Sequence, residues 1–213
     1  MVGIERPFYR KKNMSINYHI FQGAEASTEI EQLGVFRVKQ FRAFPYLYAG
    51  TLNDEREYLK SYLDNPDFVL AVAKDGEKTV AVSSANPLPS DVELEALSKE
   101  QFRQRGWNTR DFYYFGEMIV LPEYRHLGIA SKLLEMQYVI AAKNGYHKFC
   151  FLAVKREADD PHRPKSHTDS AEIFTKLGYT HTDMFVTFSW PTILADGTVQ
   201  KTENRLDFWV SGE

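Results

Sequence analysis

Arg125, Gly128 and Ala130 stand in a short loop, RHLGIA, between an apolar run (Met118 to Leu121) and an amphipathic helix, with Pro122 breaking the run. A helix start leaves backbone N–H groups without intrahelical partners and carries partial positive charge, so it suits an anion. Gly128 can take positive φ and lets a ligand approach the backbone, while Ala130 adds little bulk. These residue types in this order suit a phosphate-bearing ligand. The stretch lacks the lysine-ending glycine loop of P-loop enzymes and the three-glycine dinucleotide fingerprint.

Arg125-His126-Leu127-Gly128-Ile129-Ala130, preceded by Val120-Leu121-Pro122-Glu123-Tyr124, resembles the signature of the GNAT family of acyl-CoA-dependent N-acetyltransferases. That signature is Arg or Gln, two residues, Gly, one residue, then Gly or Ala. The order of elements set out below extends the resemblance over residues 16–211. Glu55 to Leu59, Phe115-Gly116-Glu117, Arg163-Pro164, Phe188-Ser189-Trp190 and Phe208-Trp209 further resemble a bacterial branch of that family.

The resemblance implies a mixed α/β fold whose central, mostly antiparallel sheet is flanked by helices. It implies acetyl-CoA as cosubstrate, no metal, and direct transfer in a ternary complex to a primary amine of a small molecule or peptide. The diphosphate would sit on the amides of His126, Leu127, Gly128, Ile129, Ala130 and Ser131. Arg125 would meet a phosphate or brace the loop by pairing with Glu123. Pantetheine would pair with Met118, Ile119 and Val120, in a gap between splayed strands at residues 112–121 and 147–154.

Acetyl transfer needs a neutral amine, a stabilised thioester oxygen and a stabilised or protonated leaving thiolate. A lysine-like amine, with a pKa near ~10.4, is mostly protonated at neutral pH. Glu117 is the candidate general base, directly or through water, since a carboxylate beside buried aromatics has its pKa raised. The other reading is a glutamate paired with an arginine or facing solvent. Many GNAT proteins carry a tyrosine as acid in a pattern like Phe-Tyr-x-Lys-Leu-Gly-Phe. Here the run is Ile173-Phe174-Thr175-Lys176-Leu177-Gly178-Tyr179, and Phe174 cannot donate a proton. Tyr113, Tyr114 and His167 remain possible donors, with Tyr114 taken as a candidate catalytic residue beside Glu117. Tyr179 is expected in the core. A non-catalytic acyl-CoA-binding or sensory module is the alternative, motivated by Phe174.

The elements that must position these residues follow from periodicity and breakers. A first strand is expected over residues 17–21 and a helix over 28–44, stopped by Pro45. A second helix, capped by Asn53 or Asp54, ends near Pro66. Residues 68–73 and 79–85 form a hairpin about Lys74-Asp75-Gly76-Glu77. Residues 86–110 form an inserted flap with helical spacing around Leu94 to Phe102. Beyond the central strand, a helix over 128–144 carries a buried stripe of Ile129, Leu133, Met136 and Ile140. A strand at 147–154, a short helix at 169–177 and strands at 183–190 and 205–210, joined through Asp196-Gly197, complete the order. Mixed order argues against a doubly wound sheet.

Acceptor specificity would come from the first helix pair and the flap. Phe44, Tyr46, Tyr48 and Tyr114 either line a site or fill the core. Asp91, Glu93, Glu95 and Glu100 either attract a cationic amine or form a solvated face.

Composition bounds the rest. A hydrophobic fraction of 43%, with fifteen Phe and twelve Tyr, supplies a core, and a formal charge of −3 argues against generic nucleic-acid binding. No apolar run approaches the ~20 residues of a membrane span. One cysteine, Cys150, excludes an intrachain disulfide and a cysteine-rich zinc site; its apolar surroundings favour burial over nucleophilic duty. His162, His167 and His181 lack metal-ligand spacing. The expectation is a cytoplasmic protein with residues 1–15 as a basic tail (Arg6, Arg10, Lys11, Lys12) and 16–213 as a single domain. A homodimer through the C-terminal strands is plausible for this fold.

Overall fold

β2 (Val69–Asp75) and β3 (Lys78–Pro87) are nearly continuous apolar or small-residue runs, and both are buried along most of their length. Such runs mark strands covered on both faces. In the computed structural model, which describes residues 15–165 and 171–212, they are central strands of a seven-stranded sheet ordered β1-β2-β3-β4-β5-β7-β6. The others are β1 (Ile16–Gln22), β4 (Phe112–Val120), β5 (Lys148–Val154), β6 (Thr180–Ile193) and β7 (Val199–Ser211). Neighbours are antiparallel except β4 and β5, which run parallel. The expected mixed, mostly antiparallel sheet is therefore present. The basic tail residues and His167 lie outside the described residues.

Helices cover both faces. α1 (Ile30–Gln40) and α2 (Leu52–Leu63) pack Leu33, Phe36, Leu59 and Tyr62 onto Leu70, Val72, Val82 and Ile119. α3 (Val92–Gln104) covers the other half of that face through Leu94 and Phe102, against Phe112, Cys150 and Phe208. Thus the flap contains a helix, and Cys150 is fully buried. On the opposite face, α4 (Ile129–Lys143) packs on β2 and β3, and α5 (Ala171–Lys176) sets Phe174 beside Phe151, Tyr179 and Trp209.

Several local expectations differ from the structure. The single helix over 28–44 is instead a 3-10 turn (Gly23–Thr28) and then α1, which ends before Pro45. The residue before proline is driven out of helical geometry. Phe41 then stacks on Tyr46 at 4.0 Å, folding the chain back. Thr51, rather than Asn53 or Asp54, caps α2. It accepts from the Asp54 N–H, and Asp54 returns the bond to the Thr51 N–H at 2.7 Å, a capping box. The buried seam of α4 is Ile129, Leu133, Gln137 and Ala141, while Met136 and Ile140 are only partly buried. Gln137 belongs there because it exchanges two hydrogen bonds with Ser83, donating to its carbonyl at 3.0 Å and accepting from its hydroxyl at 2.9 Å.

Candidate active site

Gly116 and Glu117 together oppose the single residue Ser84, because the β3–β4 register shifts between Ser83 and Ala85. The extra residue makes a bulge, a device that re-aims side chains. A Cβ on Gly116 would lie 2.6 Å from the Ser84 hydroxyl, so any larger residue would have to displace that hydroxyl. Ser84 Oγ in turn accepts from the Glu117 N–H at 2.8 Å and donates to Glu117 Oε2. Just before the bulge, β4 and β5 make their last paired contact, Phe115 with Phe151. Beyond it the two strands part, and a cleft of about 840 Å³ opens between Gly116–Met118 and Leu152–Val154. Ala130, Ser131 and Leu134 of α4, Phe174 of α5, and Trp209 form further walls.

The expected anion loop lies at one end of this cleft. Pro122–Tyr124 makes a 3-10 turn, and His126 and Gly128 both take left-handed backbone, with φ of 62° and 79°. Gly128 N-caps α4 without a side-chain bond, and Lys132 N–H donates to its carbonyl at 3.0 Å. The helix amides before Lys132 precede the first intrahelical donor of that ladder. His126, Leu127, Gly128 and Ser131 are exposed, Ala130 is half-buried, and Ile129 turns inward as a core residue. His126 thus holds a backbone that non-glycine residues adopt at a cost. Arg125 does not pair with Glu123, which binds Lys78 instead; the Arg125 Nε donates to the Val120 carbonyl at 3.1 Å. It still braces the loop, through backbone rather than through a carboxylate. Met118 is exposed, Ile119 is buried under α1 and α2, and Val120 is partly covered.

Glu117 is 5% exposed and has an arginine partner. Its Oε1 accepts from Arg37 Nη1 and, at 3.3 Å, from the Tyr62 hydroxyl. Arg37 also holds Glu55, with Nε 2.6 Å from Oε2, and its guanidinium lies 4.5 Å from the Tyr58 ring centroid. Burial works against the Arg37 cation, yet Glu117, Tyr58 and Glu55 outweigh it and hold its pKa well above the ordinary value. Burial, with Glu117 adding to it, pushes the Tyr46 phenol up to about 12 and holds Tyr62 well above its ordinary value. One cation thus faces two buried carboxylates among tyrosines.

Tyr114 lies on the same face as Glu117 but packs with Leu88, Leu94 and Phe112 in the core, with its phenol pushed well up by burial. Tyr113 faces the other side, fully buried against Tyr146 and Phe115. Phe44 and Tyr46 line the cleft, whereas Tyr48 sits in a bridge to Thr192 that ties the α1–α2 loop to β6. The flap acids have local duties. Asp91 N-caps α3, Glu95 accepts from Thr109, and Glu100 binds Arg103 and Gln104. His162 fastens the following loop, through Asp160 at 3.2 Å and the Leu194 carbonyl at 3.1 Å. Among the described residues, no cluster of three or more His, Cys, Asp or Glu could hold a metal ion.

The opposite wall carries a pair that sequence spacing alone does not reveal. His181 Nε2 lies 3.0 Å from Asp207 Oδ2, and Arg205 Nε donates to Asp207 Oδ1 at 2.6 Å. Both His181 and Asp207 line the cleft, and Trp209 lies between the His181 and Phe174 rings at centroid distances of 5.0 and 5.1 Å. Arg37 and Ser84 are likewise invisible to local patterns, and Glu55 stands in the Glu55–Leu59 run with no role read from it. No local signal marks His181, which pairs across to Trp209 near the start of β6.

Residues 36–163, more than half of the chain, match the model of the Acetyltransferase (GNAT) family. The chain belongs to the GNAT acetyltransferase family. Solved structures agree on the fold. The Arabidopsis thaliana NAA60, solved with a bisubstrate analogue, is 10% identical with a TM-score of 0.57, covering 92% of this chain and 98% of that one. PaiA N-acetyltransferase from Thermoplasma acidophilum, solved in complex with coenzyme A, is 12% identical with a TM-score of 0.52, covering 94% and 100%. The Escherichia coli ribosomal-protein-S18-alanine N-acetyltransferase is 13% identical with a TM-score of 0.52, covering 92% and 93%. A search of curated proteins finds no match. Membership in the GNAT family supports acetyl transfer as the class of chemistry. No helix among the described residues is long and apolar enough to cross a membrane.

Proposed function

We propose that this GNAT protein moves an acetyl group from acetyl-CoA to a primary amine of a small molecule or peptide, by direct transfer in a ternary complex. The observation that carries the reading is the cleft opened where β4 leaves β5, with the anion loop at the start of α4 beside it. The residues fit coenzyme A. The amides of residues 126–131 would hold its diphosphate, and the edge of β4 at Met118, Ile119 and Val120 would pair with pantetheine. The Val120 carbonyl is already engaged by Arg125, so the free positions on that edge lie nearer Met118.

The acceptor would approach from the side of Phe44, Tyr46 and Glu117. Two buried carboxylates against one arginine leave a negative excess there, which favours a cationic amine and then a proton acceptor for it. Glu117 is assigned that acceptance, directly or through water, with Arg37 and Ser84 fixing its position; Tyr114 lies behind it on the same face. A second reading, an acyl-CoA-binding module without turnover, draws on Phe174, which presents an apolar ring to the cleft. Calorimetry with coenzyme A, followed by thiol release from acetyl-CoA across spermidine, tyramine and short peptides with free amino termini or lysines, separates them. Binding with turnover of any amine supports transfer. Binding with none favours the module, and no binding overturns both.

A further inference from the structure

We infer that His181, oriented by Asp207, delivers a proton to the coenzyme A sulfur, filling the place that Phe174 leaves without a donor. The assignment rests on the acetyl-CoA reading above. Its basis is geometric. Asp207 is 3% exposed, yet one of its oxygens is given to an imidazole that is half open to the cleft. A buried carboxylate bonded to one ring nitrogen fixes the tautomer and stabilises the imidazolium. That bond engages Nε2 and leaves Nδ1 as the ring nitrogen not committed to Asp207. His181 and Phe174 both pack on Trp209, so the imidazole stands beside the wall where the family pattern has its tyrosine.

Other protic groups of the cleft are less suited. Tyr179 shares a 2.7 Å hydrogen bond with Tyr138, and its phenol is raised far up by burial. Tyr46 lies on the opposite side, its phenol raised by burial and then by Glu117.

In the reaction, the amine nitrogen bonds to the thioester carbon and the carbon–sulfur bond breaks, its electron pair remaining on sulfur. The Nδ1 proton of the His181 imidazolium passes to that sulfur, giving the amide, coenzyme A thiol and neutral imidazole. The nitrogen's surplus proton leaves through Glu117 to water, and His181 regains one from water at its exposed edge. One amine proton is thereby exchanged for one thiol proton.

The test compares coenzyme A with desulfo-coenzyme A, which lacks the thiol, by calorimetry on the full chain. Wild type is expected to favour coenzyme A by roughly tenfold or more, as a charge-assisted contact to sulfur would give. His181→Gln should bind desulfo-coenzyme A as wild type does, which shows that it is folded, and should lose the preference. Phe174→Tyr added to His181→Gln should restore part of the preference. In the amine assay, kcat should fall roughly 10²-fold in His181→Gln and recover partly in the double variant. A preference retained in His181→Gln, or absent from wild type while both ligands bind, overturns the assignment and leaves the acetyl-CoA reading intact. Failure of both ligands to bind wild type removes both readings.

Discussion

Glu117 and Asp207 are both buried carboxylates on the cleft, and both accept from an arginine, but their other partners differ in kind. Glu117 is closed in by Arg37, Ser84 and Tyr62, and its arginine is shared with a second carboxylate, Glu55. Asp207 has Arg205 and His181, both with half-exposed side chains. One wall of the cleft therefore fixes charge in a closed network, and the other couples a buried charge to a titratable group reachable from solvent. Transfer of an acyl group needs both, a held acceptor and a mobile proton.

The largest expected effect breaks the closed network. Arg37→Met leaves Glu55 and Glu117 buried without their cation, and removing one partner of a buried pair costs about 3–5 kcal/mol. Chemical denaturation should show that loss, and adding Glu55→Gln should return part of it. A loss under about 1 kcal/mol, the size seen for surface pairs, would mean that water reaches the network. The next effect is on turnover rather than stability. Glu117→Gln keeps shape and bulk while removing the charge, and the rate of acetyl transfer should fall about 10²-fold with coenzyme A affinity unchanged. An unaltered rate would reduce Glu117 to an anchor for Arg37.

Comparing the two walls presumes that a thioester lies between them, held by the loop before α4. Gly128→Ala examines that directly. The space around its missing Cβ is open, so the penalty comes from φ of 79° alone, about 1–2 kcal/mol. Gly128→Asn, which tolerates left-handed backbone better, should recover stability. Both variants should weaken coenzyme A binding by calorimetry, since each places a side chain where the diphosphate meets the amides. Undiminished affinity in Gly128→Asn would remove the loop from the binding site.

What sequence reasoning could read divides along similar lines. The backbone of the loop before α4 was legible because its demands are local. A breaker, a glycine able to take positive φ and a helix start stand next to one another in Pro122, Gly128 and Ile129. The sheet was legible from the β-rich runs at residues 68–73 and 79–85, and the ends of β6 and β7 were not, because their exposed residues carry no apolar alternation. The Glu117 network was hidden, because Arg37 and Ser84 reach it from 80 and 33 residues away. Glu117 does pair with an arginine, but that partner had no local mark. His181 read as one of several histidines without ligand spacing. Its partner lies 26 residues on, on the adjoining strand, and only the β6–β7 register brings them together.

The smallest expected effect sharpens the contrast between the two arginines. Arg205 makes the same kind of bond to Asp207 that Arg37 makes to Glu117, yet 46% of its side chain is exposed, against 17% for Arg37. Water can replace much of what Arg205 supplies, so Arg205→Gln should cost no more than about 1 kcal/mol in denaturation. Asp207 would then keep the imidazole of His181, 3.0 Å away, as a partner. Imidazole NMR should show the bond between His181 Nε2 and Asp207 unchanged in that variant. Its loss would mean that Arg205 positions Asp207 for the histidine, and the two arginines would then act alike.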